Sequence, residues 1–184
     1  KTVIAAETLL VRIFQRAKLL TRNGTDLFAS PALGFFLKNE FSKRSFLEDP
    51  HKLRLFNELD DSDLATSIKT WCHHEDKILS ELCRMLINRR LPHIEIQSQP
   101  FDKSMVEKIK RKVAAQKKIN KEDADHFVYT DSVKNKAYSI EGFKINVLFK
   151  TGKTKDIALA SDQLNITALS HTVVKYFLCY PKNV

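Results

Sequence analysis

Apolar residues at Val3, Ala6, Leu10, Ile13, Ala17 and Leu20 recur at three- and four-residue steps. This spacing predicts a long amphipathic helix from Thr2 to Leu20, with Glu7, Arg12, Arg16 and Lys18 turned away from the core. Asn23-Gly24 stops it. A second, short helix follows Ser30-Pro31, where Ser caps and Pro takes the first turn, and it carries Leu33, Phe36 and Leu37 inward. The pattern weakens between Phe46 and Leu59, where Leu53, Phe56 and Leu59 form a sparser apolar set. Asp60-Asp61-Ser62-Asp63 then stands directly before Leu64, Ile68 and Trp71, placing cap-type and acidic residues where the positive end of a helix favours them. A further helix runs from about Glu75 through Ile78, Leu82, Met85 and Leu86 to Arg89-Arg90 at its negative end.

Pro92 closes this helical run, and His93 to Gln97 alternates polar and apolar residues as a half-buried strand does. Asp102 to Lys118 returns to helical spacing, with Val106, Ile109 and Val113 on one stripe. Phe127 to Tyr129, then Ile145, Val147 and Phe149, then Ile157 to Leu159, read as strands; the last two form a hairpin across Thr151-Gly152. Ser161 or Asp162 caps a final helix holding Leu164, Ala168, Val173, Tyr176 and Phe177, which ends before Pro181. The expected fold class is α+β: a mainly helical N-terminal half, then a small antiparallel sheet with packed helices. The expected division is a helical region over 1–92 and an α+β subdomain over 93–184.

The 184 residues suffice for one substantial core, and 43% hydrophobic against 29% charged residues is a globular balance. The chain starts at Lys1 without an initiator Met or leader and reads as cut from something longer. The greasiest late stretch, Val173 to Tyr180, contains Lys175 and falls short of the ~20 apolar residues that span a bilayer, so no membrane segment is expected. Three cysteines without a C-x-x-C pair suit a reducing compartment, which suggests a cytoplasmic protein. The net charge of +9 favours anionic partners such as nucleotides or nucleic acid.

Few residue clusters invite chemistry. In Cys72-His73-His74-Glu75-Asp76, helical geometry turns neighbouring side chains about 100° apart, so at most two ligands share a face. Structural zinc needs four and catalytic zinc usually three, and a helix junction is the simpler reading. Asp60, Asp61 and Asp63 fit capping better than magnesium binding. Gly152-Lys153-Thr154 lacks the earlier Gly of a phosphate-binding loop, that position being Val147, so a hairpin turn accounts for it. No G-x-S-x-G elbow is present. Between Lys103 and Lys121 eight basic residues accompany one acidic residue, Glu107, but no aromatic that would stack on bases.

Three segments together resemble the region downstream of the catalytic core in HD-superfamily phosphohydrolases related to the deoxynucleoside-triphosphate triphosphohydrolases. Lys1-Thr2-Val3 through Leu20 is similar to the helix after that family's H-K sequence. Leu59-Asp60-Asp61, Asp76-Lys77-Ile78-Leu79 and Arg89-Arg90-Leu91 are similar to its L-D-D, D-x-I-L and R-x-L-F-K pattern. Ile145 to Lys150 with Ile157 to Tyr180 resembles its terminal strand pair and helix. The resemblance implies that an H…HD…D set, holding divalent metal, belongs to a parent core upstream of Lys1. The present residues include no His-Asp dipeptide, Asp125-His126 being reversed, and the expectation is a chain with no catalytic residue, metal ligand or cofactor of its own, inactive alone. It also implies an oligomer or an HD core as partner, and a nucleotide effector whose phosphate Lys1 and Arg89 contact. Pro92-His93 departs from the family's aromatic and Lys at that point. The alternative is a non-catalytic basic module for nucleic acid, with salt-sensitive affinity.

Overall fold

The computed structural model describes residues 1–135, 145–160 and 173–184. In chain order the elements are α1 (Thr2–Arg22), α2 (Pro31–Lys38), α3 (Lys43–Glu48), α4 (Pro50–Glu58), α5 (Asp61–Trp71), α6 (Lys77–Ile87), β1 (His93–Gln97), α7 (Lys103–Lys117), α8 (Lys121–Ala124), β2 (Tyr129–Asn135), β3 (Asn146–Leu148), β4 (Thr154–Asp156), α9 (Ile157–Ala160) and β5 (Val173–Tyr180). The fold is α+β, as the patterning predicts. Two compact units interleave along the chain: residues 1–94, 102–129 and 179–184 form one, and residues 95–101 and 130–178 the other. Among the described residues no helix is long and apolar enough to cross a membrane.

In the first unit each predicted cap is in place. The Ser30 hydroxyl accepts from the Leu33 amide, and Pro31 occupies the first turn of α2. Asp60 accepts from the Ser62 and Asp63 amides at 2.7 and 3.1 Å, while the Asp63 carboxylate accepts from the Asp60 amide at 3.0 Å, a reciprocal capping box. The three acidic residues therefore serve the start of α5. The core is built by Leu9, Ile13 and Ala17 of α1, Ile68 and Trp71 of α5, Leu79 and Leu82 of α6, and Val113 of α7, all buried. Full burial of one such side chain contributes about 1.5–3 kcal/mol. Phe14 meets Trp71 edge-on at 5.7 Å, and the indole N–H donates to the Phe28 carbonyl at 2.9 Å, so the ring is buried with its polar atom satisfied.

Arg16 departs from the expectation. Rather than turning outward, it is enclosed between Asp76 and Asp123, donating to both Asp76 oxygens at 3.1 and 2.7 Å and to Asp123 at 2.8 Å. The fork of the guanidinium thereby ties α1 to the starts of α6 and α8. Burial alone would raise the Asp76 carboxyl, but bonds from Arg16 and the Leu79 amide hold it below the usual carboxylate range.

In the second unit β3 and β4 pair antiparallel, Val147 opposite Lys155, across a turn in which Gly152 has φ +79°. That left-handed conformation is what a glycine supplies at no steric cost, and the hairpin explains Gly152-Lys153-Thr154. A three-stranded sheet has the order β1-β5-β2.

Three expectations change. Val173 to Tyr180 is strand β5, not the end of a helix. The run is rich in β-branched and aromatic residues, and Phe177, Leu178 and Cys179 are consecutively buried, as a central strand with both faces covered requires. The proposed Ser161 or Asp162 cap, Leu164 and Ala168 lie outside the described residues. Ile157 to Ala160 is a helical turn, the hairpin's return strand being Thr154–Asp156. Phe127 and Val128 are buried in a turn ahead of β2, where the Phe127 and Val128 amides both donate to the Ala124 carbonyl.

Candidate phosphate-binding cleft

The C-terminal ends of α6 and α7 close in the same way. At α6 the Arg89 amide donates to Leu86 at 3.1 Å and the Arg90 amide to Met85 at 2.8 Å; at α7 the Lys118 amide donates to Ala115 and the Ile119 amide to Ala114. This double bond pattern places one residue past each helix in the left-handed region, a position that glycine favours. Here Arg89 takes it with φ 55° and Lys118 with φ 53°. Each costs on the order of 1 kcal/mol relative to glycine, and each sets a cationic residue where the helix ends.

Between these two ends lies a cleft of about 570 Å³. Its walls carry Arg89, Arg90, Lys117 and Lys182, with Glu81, Gln116 and Asn183 as the other side chains able to hydrogen-bond and Met85, Leu91, Pro92 and Pro181 as apolar surface. Lys117 is paired with Glu81 and lies 4.5 Å from the centre of the Phe127 ring. Helix C-termini oppose anions, each contributing roughly half a negative charge. Two such ends and Glu81 offset roughly two of the four cations, leaving roughly +2 in the cleft. The sign therefore favours an anion. The guanidinium forks of Arg89 and Arg90 suit phosphate oxygens, and the volume suits a ligand larger than one phosphate group.

Arg89, expected from sequence, is in this cleft. Lys1 stands at the exposed start of α1 and is not among its walls. Arg90 was read only as a helix-end residue beside Arg89, Lys117 is one cation among eight in the basic stretch, and Lys182 carries no local signal. The basic helix α7 presents less free charge than its composition suggests. Lys110 bridges Glu107 and Asp125 at 3.5 and 2.8 Å, Lys121 meets Glu107 at 2.6 Å, and Lys117 is paired as above.

The His-rich junction is occupied by structural bonds. Asp76 caps α6 and holds Arg16, and its own amide donates to Nδ1 of His74 at 3.0 Å. The two nearby thiols are buried, and burial pushes Cys83 up to about 12, far from a reactive thiolate.

No family model matches the chain. An uncharacterized protein of Bacillus subtilis (strain 168), YwfO, is 36% identical over 87 residues, which are 47% of this chain and 18% of YwfO. The crystal structure of a phosphohydrolase from Bacteroides thetaiotaomicron VPI-5482 matches 98% of this chain with 39% identity and a TM-score of 0.82. The matched part is 45% of that phosphohydrolase, so the chain spans less than half the length of this relative. Over nearly its whole length, then, the chain is similar to part of a phosphohydrolase.

Proposed function

We propose that this chain is the accessory, C-terminal region of an HD-type nucleotide phosphohydrolase, and that the His-Asp metal centre lies in a separate stretch of protein. In this reading the region supports oligomerisation and binds the phosphates of a nucleotide effector in the cleft that holds Arg89, with Lys1 as a further contact from outside its walls. One observation carries it: 39% identity across 98% of the chain to a phosphohydrolase of which it matches only 45%. The sequence adds support, since none of its six histidines is followed by Asp. A divalent ion held in the parent core would activate water and stabilise charge on the attacked phosphate.

The test is an assay of the purified chain against a panel of deoxynucleoside triphosphates with manganese or magnesium. The expected result is no turnover above the metal-only control. Robust turnover would overturn the reading. In parallel, calorimetric titration with inorganic tripolyphosphate should show binding that weakens by about tenfold or more in the double variant Arg89→Ala/Arg90→Ala, in line with the loss of charge-assisted bonds to phosphate.

A further inference from the structure

Ion pairing divides the cations of α7 into two sets. Lys110 and Lys117 are half-buried and each meets a carboxylate, as does Lys121 beyond the helix end. Lys108, Arg111 and Lys112 are exposed and have no ion-pair partner among the described residues. Asp102 does not neutralise Lys108: its carboxyl is held below the usual range chiefly by its bonds from Ser104, with the attraction of Lys108 the weakest cause. The three free cations lie within about 6 Å along the helix axis. Like charges at three- and four-residue steps destabilise a helix, and an anion laid over them relieves the repulsion.

The free cations also lead into the cleft described above. Lys108, Lys112 and Gln116 follow one another at four-residue steps, which sets them in one row along α7, with Arg111 beside it. Gln116 is a wall of the cleft, in which Arg89, Arg90 and Lys182 have no ion-pair partner among the described residues either. From Lys108 to Gln116 the row is about 12 Å long. A cationic track therefore continues the cleft outward, and three linked phosphates seated at Arg89 and Arg90 are too short to reach Lys108. A longer chain of phosphates covers both.

The sign of the track calls for a polyanion, and its other side chains narrow the choice. Neither the row nor the cleft walls hold an aromatic ring, the platform on which charged grooves stack the bases of single-stranded nucleic acid. Cations crowded within little more than one helical turn match phosphates joined through a single shared oxygen better than phosphates kept apart by a sugar. We propose that long-chain inorganic polyphosphate binds this chain, one stretch of it in the cleft and the next along the outer face of α7. The inference rests on the reading that the cleft binds phosphate and extends it from the phosphates of a nucleotide to a polymer.

Calorimetric titration of the full chain tests it, with inorganic tripolyphosphate and long-chain polyphosphate compared at equal phosphate concentration. The long chain should bind about tenfold or more tighter, because contacts on the row add to those in the cleft, and added salt should weaken it more steeply. Lys108→Gln/Arg111→Gln/Lys112→Gln, all at exposed positions, should remove that advantage while leaving tripolyphosphate affinity and circular dichroism unchanged. Lys38→Gln/Lys43→Gln/Lys69→Gln removes the same charge from exposed positions elsewhere in the first unit and should keep the advantage. Equal losses in the two triple variants would overturn the proposal, since net charge alone would then account for binding. Single-stranded poly(U) or poly-glutamate binding as tightly as polyphosphate at equal charge would overturn it as well, giving the surface to nucleic acid or to an acidic protein. Failure of tripolyphosphate to bind the wild-type chain would remove the cleft reading and this inference together, whereas tripolyphosphate binding without a gain from chain length would remove this inference alone.

Discussion

The first unit contains two kinds of helix. α1, α5 and α6 bury a stripe each, Leu9 and Ile13, Ile68 and Trp71, Leu79 and Leu82, and the Arg16 bridge ties α1 to the starts of α6 and α8. α3 and α4 carry aromatic and aliphatic residues at similar density but bury none completely. Apolar periodicity thus reports where a helix forms, and the number of neighbours it meets decides whether the apolar face becomes core or stays exposed. The long helices meet partners along several turns. The short pair meets its aromatic cluster on one side only.

If that contrast is right, substitutions should separate sharply by region. The largest effect is expected at Leu82→Ala, which deletes fully buried methyl groups and should lower unfolding free energy by about 2–5 kcal/mol in urea denaturation. Next comes Arg16→Met, which strands Asp76 and Asp123 half-buried without their cation. A loss of about 2–4 kcal/mol is expected, somewhat below that for a fully buried pair. The same measurement on Asp76→Asn should show a smaller loss, since Asn still caps α6.

Acid should weaken the long-helix region next. His126, whose Nδ1 is buried without a hydrogen-bond partner, is held below its ordinary value of 6.5, first by burial and then by the positive charge of Arg16 and Arg12, against Asp123 and Asp76. Below 6.5 the unfolded chain binds a proton that the folded chain refuses until lower pH. Stability should therefore fall as pH drops from 7.5 through 6.5 and below, and His126→Gln should flatten that part of the profile. A second fall belongs to Asp76, whose contribution is complete above its ordinary value of 3.8 and is lost as pH descends through its lower folded value.

Two smaller effects test the surface half of the comparison. Arg89→Gly should raise stability by about 0.5–1 kcal/mol by relieving a left-handed conformation, yet weaken tripolyphosphate binding. A purely structural helix end would gain stability and lose no affinity. Leu47→Ala should change stability by less than about 0.5 kcal/mol in urea denaturation, the smallest effect of the set, because Leu47 is exposed.

Much of the fold was legible in the residues. Ser30-Pro31 and Asp60 to Asp63 cap the helices that patterning assigned them, Asp76 and Asp102 prove to cap α6 and α7, and Pro92 separates α6 from β1. The candidate site was legible only at Arg89. Arg90, Lys117 and Lys182 come together from three places in the chain, and no spacing rule relates them. The late helix failed because Val173, Tyr176 and Phe177 satisfy a three- to four-residue step by coincidence, whereas their β-branched and aromatic character favours the strand they form.

By itself the sequence determined α1, α2, α5, α6 and α7 with the caps at Ser30 and Asp60, the strand after Pro92, the turn at Gly152 and the positive charge, because each depends on residues a few positions apart or on composition. Only the tertiary structure decided that Arg16 points inward, that α7 and α8 join the N-terminal helices in one unit, that β5 lies between β1 and β2, and that Leu47 and Phe56 stay exposed. Those outcomes depend on which distant groups meet. Burial, ion pairing and strand order are properties of such meetings, and local patterning carries no record of them.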